Sequence, residues 1–222
     1  MKTFIKSIII LTLLMATAQL AMADVVVNGV QHWVHARLEN MATGLVIADD
    51  TEGSELGEFV EDASVSMLFD AAASQNSMVT AEGDELRLSG SFSAALDREE
   101  IGEWVRAEVA STMSLVFVPV VDSVLSVTFH AEGNNFGTPS VLVRDIANFE
   151  TLAQYGETGE FVASVHLDAG GQYLIQLYCN IGLQGNGLPE PLLCTSVADI
   201  TVLPTVVAVE SMTLAAVKRL FE

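Results

Sequence analysis

The residues of this 222-residue sequence with types suited to chemistry are a dense run of carboxylates, four histidines, two cysteines and a few aromatic rings. Residues 49–62 hold Asp49, Asp50, Glu52, Glu55, Glu58, Glu61 and Asp62. A hard cation needs several oxygens converging on one point, so Asp49, Asp50, Glu52 and Glu55 are candidate calcium ligands. The spacing is not that of an EF-hand, because no glycine stands sixth after a leading aspartate. A solvated, self-repelling loop is the competing reading.

His32 and His35 have the interval of a metal pair, but three residues apart in a strand point to opposite faces. They would share an ion only across a bulge or turn. His130 and His166 fall on expected solvent faces. Flat rings suit pyranose faces, and the candidates are Trp33, Trp104, Tyr155 and Tyr178. Trp33 and Tyr178 are out of phase with the apolar residues of their own strands, whereas most aromatics in a sandwich pack in its core or at its edges.

The chain has no Gly-x-Ser-x-Gly elbow, phosphate-binding glycine loop or Cys-x-x-Cys pair. Carboxylates for glycoside hydrolysis meet only in the fold. The expectation is a protein that is not an enzyme, with no cofactor other than calcium. Cys179 and Cys194 flank a loop rich in glycine and proline. In an oxidising compartment they are candidates for a disulfide, against the alternative of two buried thiols.

The elements that must position these residues have the two-residue period of strands. Leu86, Leu88, Gly90, Phe92 and Ala94 alternate with Arg87, Ser89, Ser91 and Ser93, which turns one face to a core and the other to water. The same alternation runs through 63–69, 113–117, 125–129, 161–167 and 173–179. With 25–38, 140–143 and 197–202 this predicts nine or so strands, separated by turns at 82–84, 132–135 and 168–171. The fold class is all-β: an antiparallel β-sandwich of jelly-roll or immunoglobulin-like kind. A helical turn fits 96–102. After Pro204, Leu214, Val217, Leu220 and Phe221 share one face at helical spacing, so residues 205–222 read as a short amphipathic helix or tail.

At the other end, Lys2 and Lys6 precede an apolar run, and Ala21-Met22-Ala23 places small residues where a signal peptidase inspects. Residues 1–23 therefore read as a cleavable signal, residues 24–204 as the sandwich, and the address as secreted, extracellular or periplasmic. No membrane span is expected in the mature chain. Net charge is −20, and −22 once both leader lysines are lost. A field of that sign repels phosphate backbones, which excludes nucleic acid as partner and leaves extracellular protein or glycan.

Gly159-Glu-Phe-Val-Ala-Ser-Val-His-Leu-Asp-Ala-Gly-Gly-Gln-Tyr resembles the penultimate hairpin of pre-peptidase C-terminal modules, in which Leu-x-Ala-Gly precedes a Tyr-bearing strand. The run 63–95, followed by Ser114-Leu-Val-Phe-Val and Leu125-Ser-Val-Thr-Phe, is similar to exported bacterial proteins that carry a PEP-CTERM sorting tail. Pro189-Glu190-Pro191 spells that triad, yet no uninterrupted apolar helix or terminal arginine cluster follows. The resemblance implies a β-sandwich and an exported address, not a reaction. The expected function is a secreted, non-enzymatic structural or interaction protein at or outside the cell surface. The alternative is an accessory module that binds carbohydrate or calcium.

Overall fold

The computed structural model describes residues 25–67, 69–83, 85–98, 104–133, 137–185 and 191–205. The expected signal segment, residues 1–23, lies outside them, as does the expected C-terminal helix or tail beyond Thr205. Alternation of apolar and polar side chains makes the described chain almost wholly strand. In 69–79, Phe69, Ala71, Ala73, Gln75, Ser77 and Val79 are buried, and the residues between them are exposed. The strands are β1 Val25–Asn40, β2 Leu45–Gly53, β3 Gly57–Ser66, β4 Phe69–Glu82, β5 Glu85–Arg98, β6 Val105–Pro119, β7 Ser123–Gly133, β8 Gly137–Asp145, β9 Glu150–Tyr155, β10 Gly159–Leu167, β11 Tyr173–Gly185 and β12 Leu192–Pro204.

Sheet A has the order β2-β1-β6-β11-β8-β9 and sheet B the order β10-β7-β12-β5-β4-β3, with all pairings antiparallel. From β5 onward the partners are β5 with β12, β6 with β11, β7 with β10 and β8 with β9, alternating between the sheets. That nesting is a long hairpin rolled up on itself, so of the two expected sandwich types the molecule is the jelly roll. The hairpin β1–β2 extends sheet A beyond β6, and the hairpin β3–β4 extends sheet B beyond β5.

Phe69, Phe92, Phe117 and Phe129 fill the space between the sheets with Leu38, Leu88, Leu115 and Leu125. Burial of each such side chain stabilises the fold by roughly 1.5–3 kcal/mol. The 168–171 turn closes one end: Gly170 has φ 75°, and the Tyr173 hydroxyl accepts the Asp168 N–H at 2.8 Å. Among the described residues, no helix is long and apolar enough to cross a membrane.

Three expectations change. Twelve strands are described rather than nine or so: β2 and β9 are edge strands whose inner faces carry few large apolar residues, and the single strand expected over 63–69 is a hairpin, with β3 ending at Ser66 and β4 starting at Phe69. Residues 49–62 are not one loop: Asp49, Asp50 and Glu52 lie on β2, Glu58, Glu61 and Asp62 on β3, and only 54–56 cross between the sheets. Leu96 to Arg98 continue β5 in place of a helical turn, with 99–102 outside the described residues.

Candidate functional site

The β1 strand changes phase near its start. Its register against β6 shifts between Val27 and Gly29, leaving Asn28 as the extra residue of a β-bulge. Val25 and Val27 pack on the core before the bulge, and Val30, His32, Val34, Ala36 and Leu38 face inward after it. Gln31, Trp33, His35 and Arg37 are thereby turned to the outer face of sheet A.

Strand register carries this outer face across the sheet. Trp33 pairs with Thr112 on β6, Thr112 with Tyr178 on β11, and Tyr178 with Ser140 on β8; on the other side Trp33 pairs with Glu52 on β2. Two inter-strand spacings place the α-carbons of Trp33 and Tyr178 about 10 Å apart. The next row reads Gln31, Ser114, Gln176 and Leu142. Together they line a cleft of about 380 Å³, formed by Gln31, Trp33, Glu52, Thr112, Ser114 and Tyr178 with Gln176. A second cleft, of about 570 Å³, adjoins it and shares Gln31, Glu52 and Ser114. Both volumes lie within the usual range for small-ligand sites.

Trp33 is held from behind. Its ring stacks on His35 with centroids 4.8 Å apart and an interplanar angle of 21°. His35 is buried although it stands on the outer face, and its Nδ1–H donates to the carboxylate of its β2 partner Asp50. A half-buried indole so braced loses little freedom when a flat apolar surface covers it. Ser140, next to Tyr178, is 4% exposed, and its hydroxyl has no hydrogen-bond partner.

His32 points the other way, between the sheets, in keeping with the opposite faces expected for His32 and His35. Its Nδ1 accepts from the Gln75 amide at 2.7 Å, and Phe59 stacks on the ring at 4.5 Å. The neutral ring then carries its proton on Nε2, which makes no well-aligned hydrogen bond. Burial pulls its pKa below the ordinary value, opposed in part by the Glu55 backbone.

The calcium candidates are distributed by the register. Asp50 serves His35, and Asp49 accepts the Ser64 N–H of β3 at 2.9 Å, tying the edges of the two sheets. Glu52 lines the clefts and Glu55 lies in the crossover. Among the described residues, the one group of three metal-ligating side chains whose donor atoms converge is elsewhere: Asp122, His166 and Asp168, all exposed, within 4.8 Å of one another. Asp122 in that group also accepts the Ala169 N–H at 2.9 Å. No sequence signal marked it, because Asp122 stands in the β6–β7 turn and His166 and Asp168 stand at the end of β10, more than forty positions away.

Of the other aromatic candidates, Tyr155 stacks on Phe161 at 5.0 Å and packs edge-on to Phe129, and Trp104 is exposed just before β6. His130 and His166 are exposed. Cys179 on β11 and Cys194 on β12 are buried free thiols that neighbour each other between the sheets, and Cys179 Sγ lies 3.5 Å from the Phe92 carbonyl and 3.2 Å from Ser196 Oγ. The Cys194 thiol and burial push the Cys179 thiol far above the ordinary range, so it stays protonated.

The fold and site define a jelly-roll sandwich with an aromatic, amide-lined sheet face. No family model matches the chain, and no curated protein matches it.

Proposed function

We propose that this protein is an exported, non-enzymatic interaction module that works at or outside the cell surface and binds carbohydrate on the outer face of sheet A. The observation that carries the reading is the row Trp33, Thr112, Tyr178: two half-buried rings on either side of a small residue, with Gln31, Gln176, Ser114 and Glu52 around them. A pyranose offers an apolar face to an aromatic ring and a rim of hydroxyls to amides, hydroxyls and carboxylates. Both sets of groups are present here.

The non-enzymatic part of the reading is supported by the acid content of the face. Among the described residues Glu52 is the one carboxylate lining either cleft, whereas glycoside hydrolysis works with a facing pair. Export is supported by the signal-like residues 1–23.

Affinity electrophoresis through gels containing soluble plant, fungal and bacterial polysaccharides tests the proposal. Retardation by at least one glycan, relieved by free oligosaccharide of the same type, is the expected result. Unretarded migration through every gel overturns it.

A further inference from the structure

The two clefts on sheet A share Gln31, Glu52 and Ser114, so they are segments of one trough. It starts at Gln176 and Tyr178 on β11, crosses β6 at Thr112 and Ser114 to Gln31 and Trp33 on β1, and continues along these two strands to Gly29 and Val116, with Glu52, Gly53 and Ser54 of β2 as its outer wall. Two inter-strand spacings, from Tyr178 to Trp33, combined with four residues along β6, from Thr112 to Val116, give it a diagonal length of about 16 Å, room for about three pyranose rings in a row. The bulge at Asn28 brings Gly29 opposite Val116 at its far end, and no atom lies within 4 Å of the position a Gly29 Cβ would take. The trough is therefore open where β1 bends.

Charge selects among polymers. Among the described residues no lysine or arginine lines either cleft, and Glu52 lies at their junction. On the same face, Arg37 is 3.5 Å from Glu39, Arg106 lies in a separate depression with Glu108, and Arg144 on β8 stands one row beyond Leu142, outside the lining of both clefts. A chain of uronates or sulfated sugars would meet a carboxylate without a counter-cation, on a molecule of net charge −20.

Resting on the carbohydrate reading, we infer that the ligand is an extended chain of uncharged pyranose units running obliquely over sheet A and filling both clefts, with Glu52 accepting hydroxyl hydrogen bonds at their junction. The dimer reaches the Trp33–Tyr178 cleft alone, and longer chains also occupy the cleft beside Val116.

Isothermal titration of the full protein with neutral oligosaccharides of the cello-, xylo-, manno- and N-acetylchito-series, each from dimer to hexamer, tests this beside oligogalacturonate and oligoalginate. One neutral series is expected to gain about tenfold in affinity between dimer and tetramer and little beyond, and the anionic series to stay unbound. Val116→Trp fills only the second cleft from an outward position, so it is expected to remove the tetramer's gain over the dimer, whereas Val60→Ala, exposed on sheet B, is expected to keep that gain. A circular dichroism melt confirms that this variant folds. Neutral binding with no length dependence and no effect of Val116→Trp overturns the extended-chain inference and leaves the carbohydrate reading standing. Preferential binding of the anionic series overturns the inference on ligand charge. Binding of neither series overturns the inference and the reading together.

Discussion

Trp33 and Tyr178 are both direct pairing neighbours of Thr112, one from β1 and the other from β11, so two rings 145 positions apart in the chain stand on one row of sheet A. Neither ring belongs to the core pattern of its strand. Their placement out of phase with the apolar residues puts them on the outer face, and the antiparallel register of three strands brings them level.

Asp50 accepts the His35 N–H, and His35 carries Trp33 on its ring. Replacing Asp50 with Ala leaves a buried imidazole donor without its partner, a loss of about 1–3 kcal/mol. In a Trp104→Phe background, which leaves Trp33 as the only tryptophan, Asp50→Ala is expected to shift the emission maximum and weaken ligand binding. Unchanged emission and unchanged affinity would show that the brace is idle.

His32 gives the fold an acid limit. Its folded pKa lies below the ordinary histidine value because burial penalises the cation. The unfolded chain therefore takes up a proton first as pH falls. Stability from the neutral ring is full above about pH 6.5 and declines as pH drops below it, levelling once the folded pKa is passed. Urea unfolding at successive pH values should show this decline, and His32→Gln should flatten it. An equally steep decline in His32→Gln would assign the effect to other groups.

The cysteines stand on facing strands of the two sheets. Oxidised glutathione, by accepting two electrons and two protons, should convert the adjacent thiols to a disulfide closing residues 180–193. On the chain-entropy model a loop of this size is worth about 3 kcal/mol. Intact mass should fall by the mass of two hydrogens and the melting temperature should rise. The Cys179→Ser variant should do neither.

Gly53 supplies the clearance for the ring that covers His32. A Cβ there would come within 2.7 Å of Phe59 ring atoms. Gly53→Ala is expected to destabilise the protein by about 1–3 kcal/mol through overpacking, with partial recovery in Gly53→Ala/Phe59→Leu. Chemical denaturation of the single and double variants measures both terms, and additive losses would contradict the proposed contact.

The alternation that built β5, β7, β10 and β11 was legible because each has a drier face and a wet one, whereas the alternation through 63–69 hid the turn between β3 and β4. On β2 the acidic residues Asp49, Asp50 and Glu52 hid the strand, because an edge strand has little core to contact and its apolar signal is weak. For the candidate site, the odd phase of Trp33 and Tyr178 was visible in the chain, but their shared neighbour was not. Thr112 has no distinguishing chemistry, and the row exists only through pairings of β1, β6 and β11 that are remote in sequence. Trp33's support was equally hidden: nothing in the acidic run singles out Asp50 until register sets it opposite His35.

The most direct test compares retardation by neutral polysaccharides of three proteins: the wild type, Trp33→Ala/Tyr178→Ala, and Val60→Ala/Val197→Ala, whose two valines are exposed on the outer face of sheet B. The account predicts that the wild type and the sheet B variant are retarded alike by the same glycan, and that the Trp33→Ala/Tyr178→Ala protein, folded by circular dichroism, runs free. Equal retardation of all three, or retardation lost only in the sheet B variant, would contradict it.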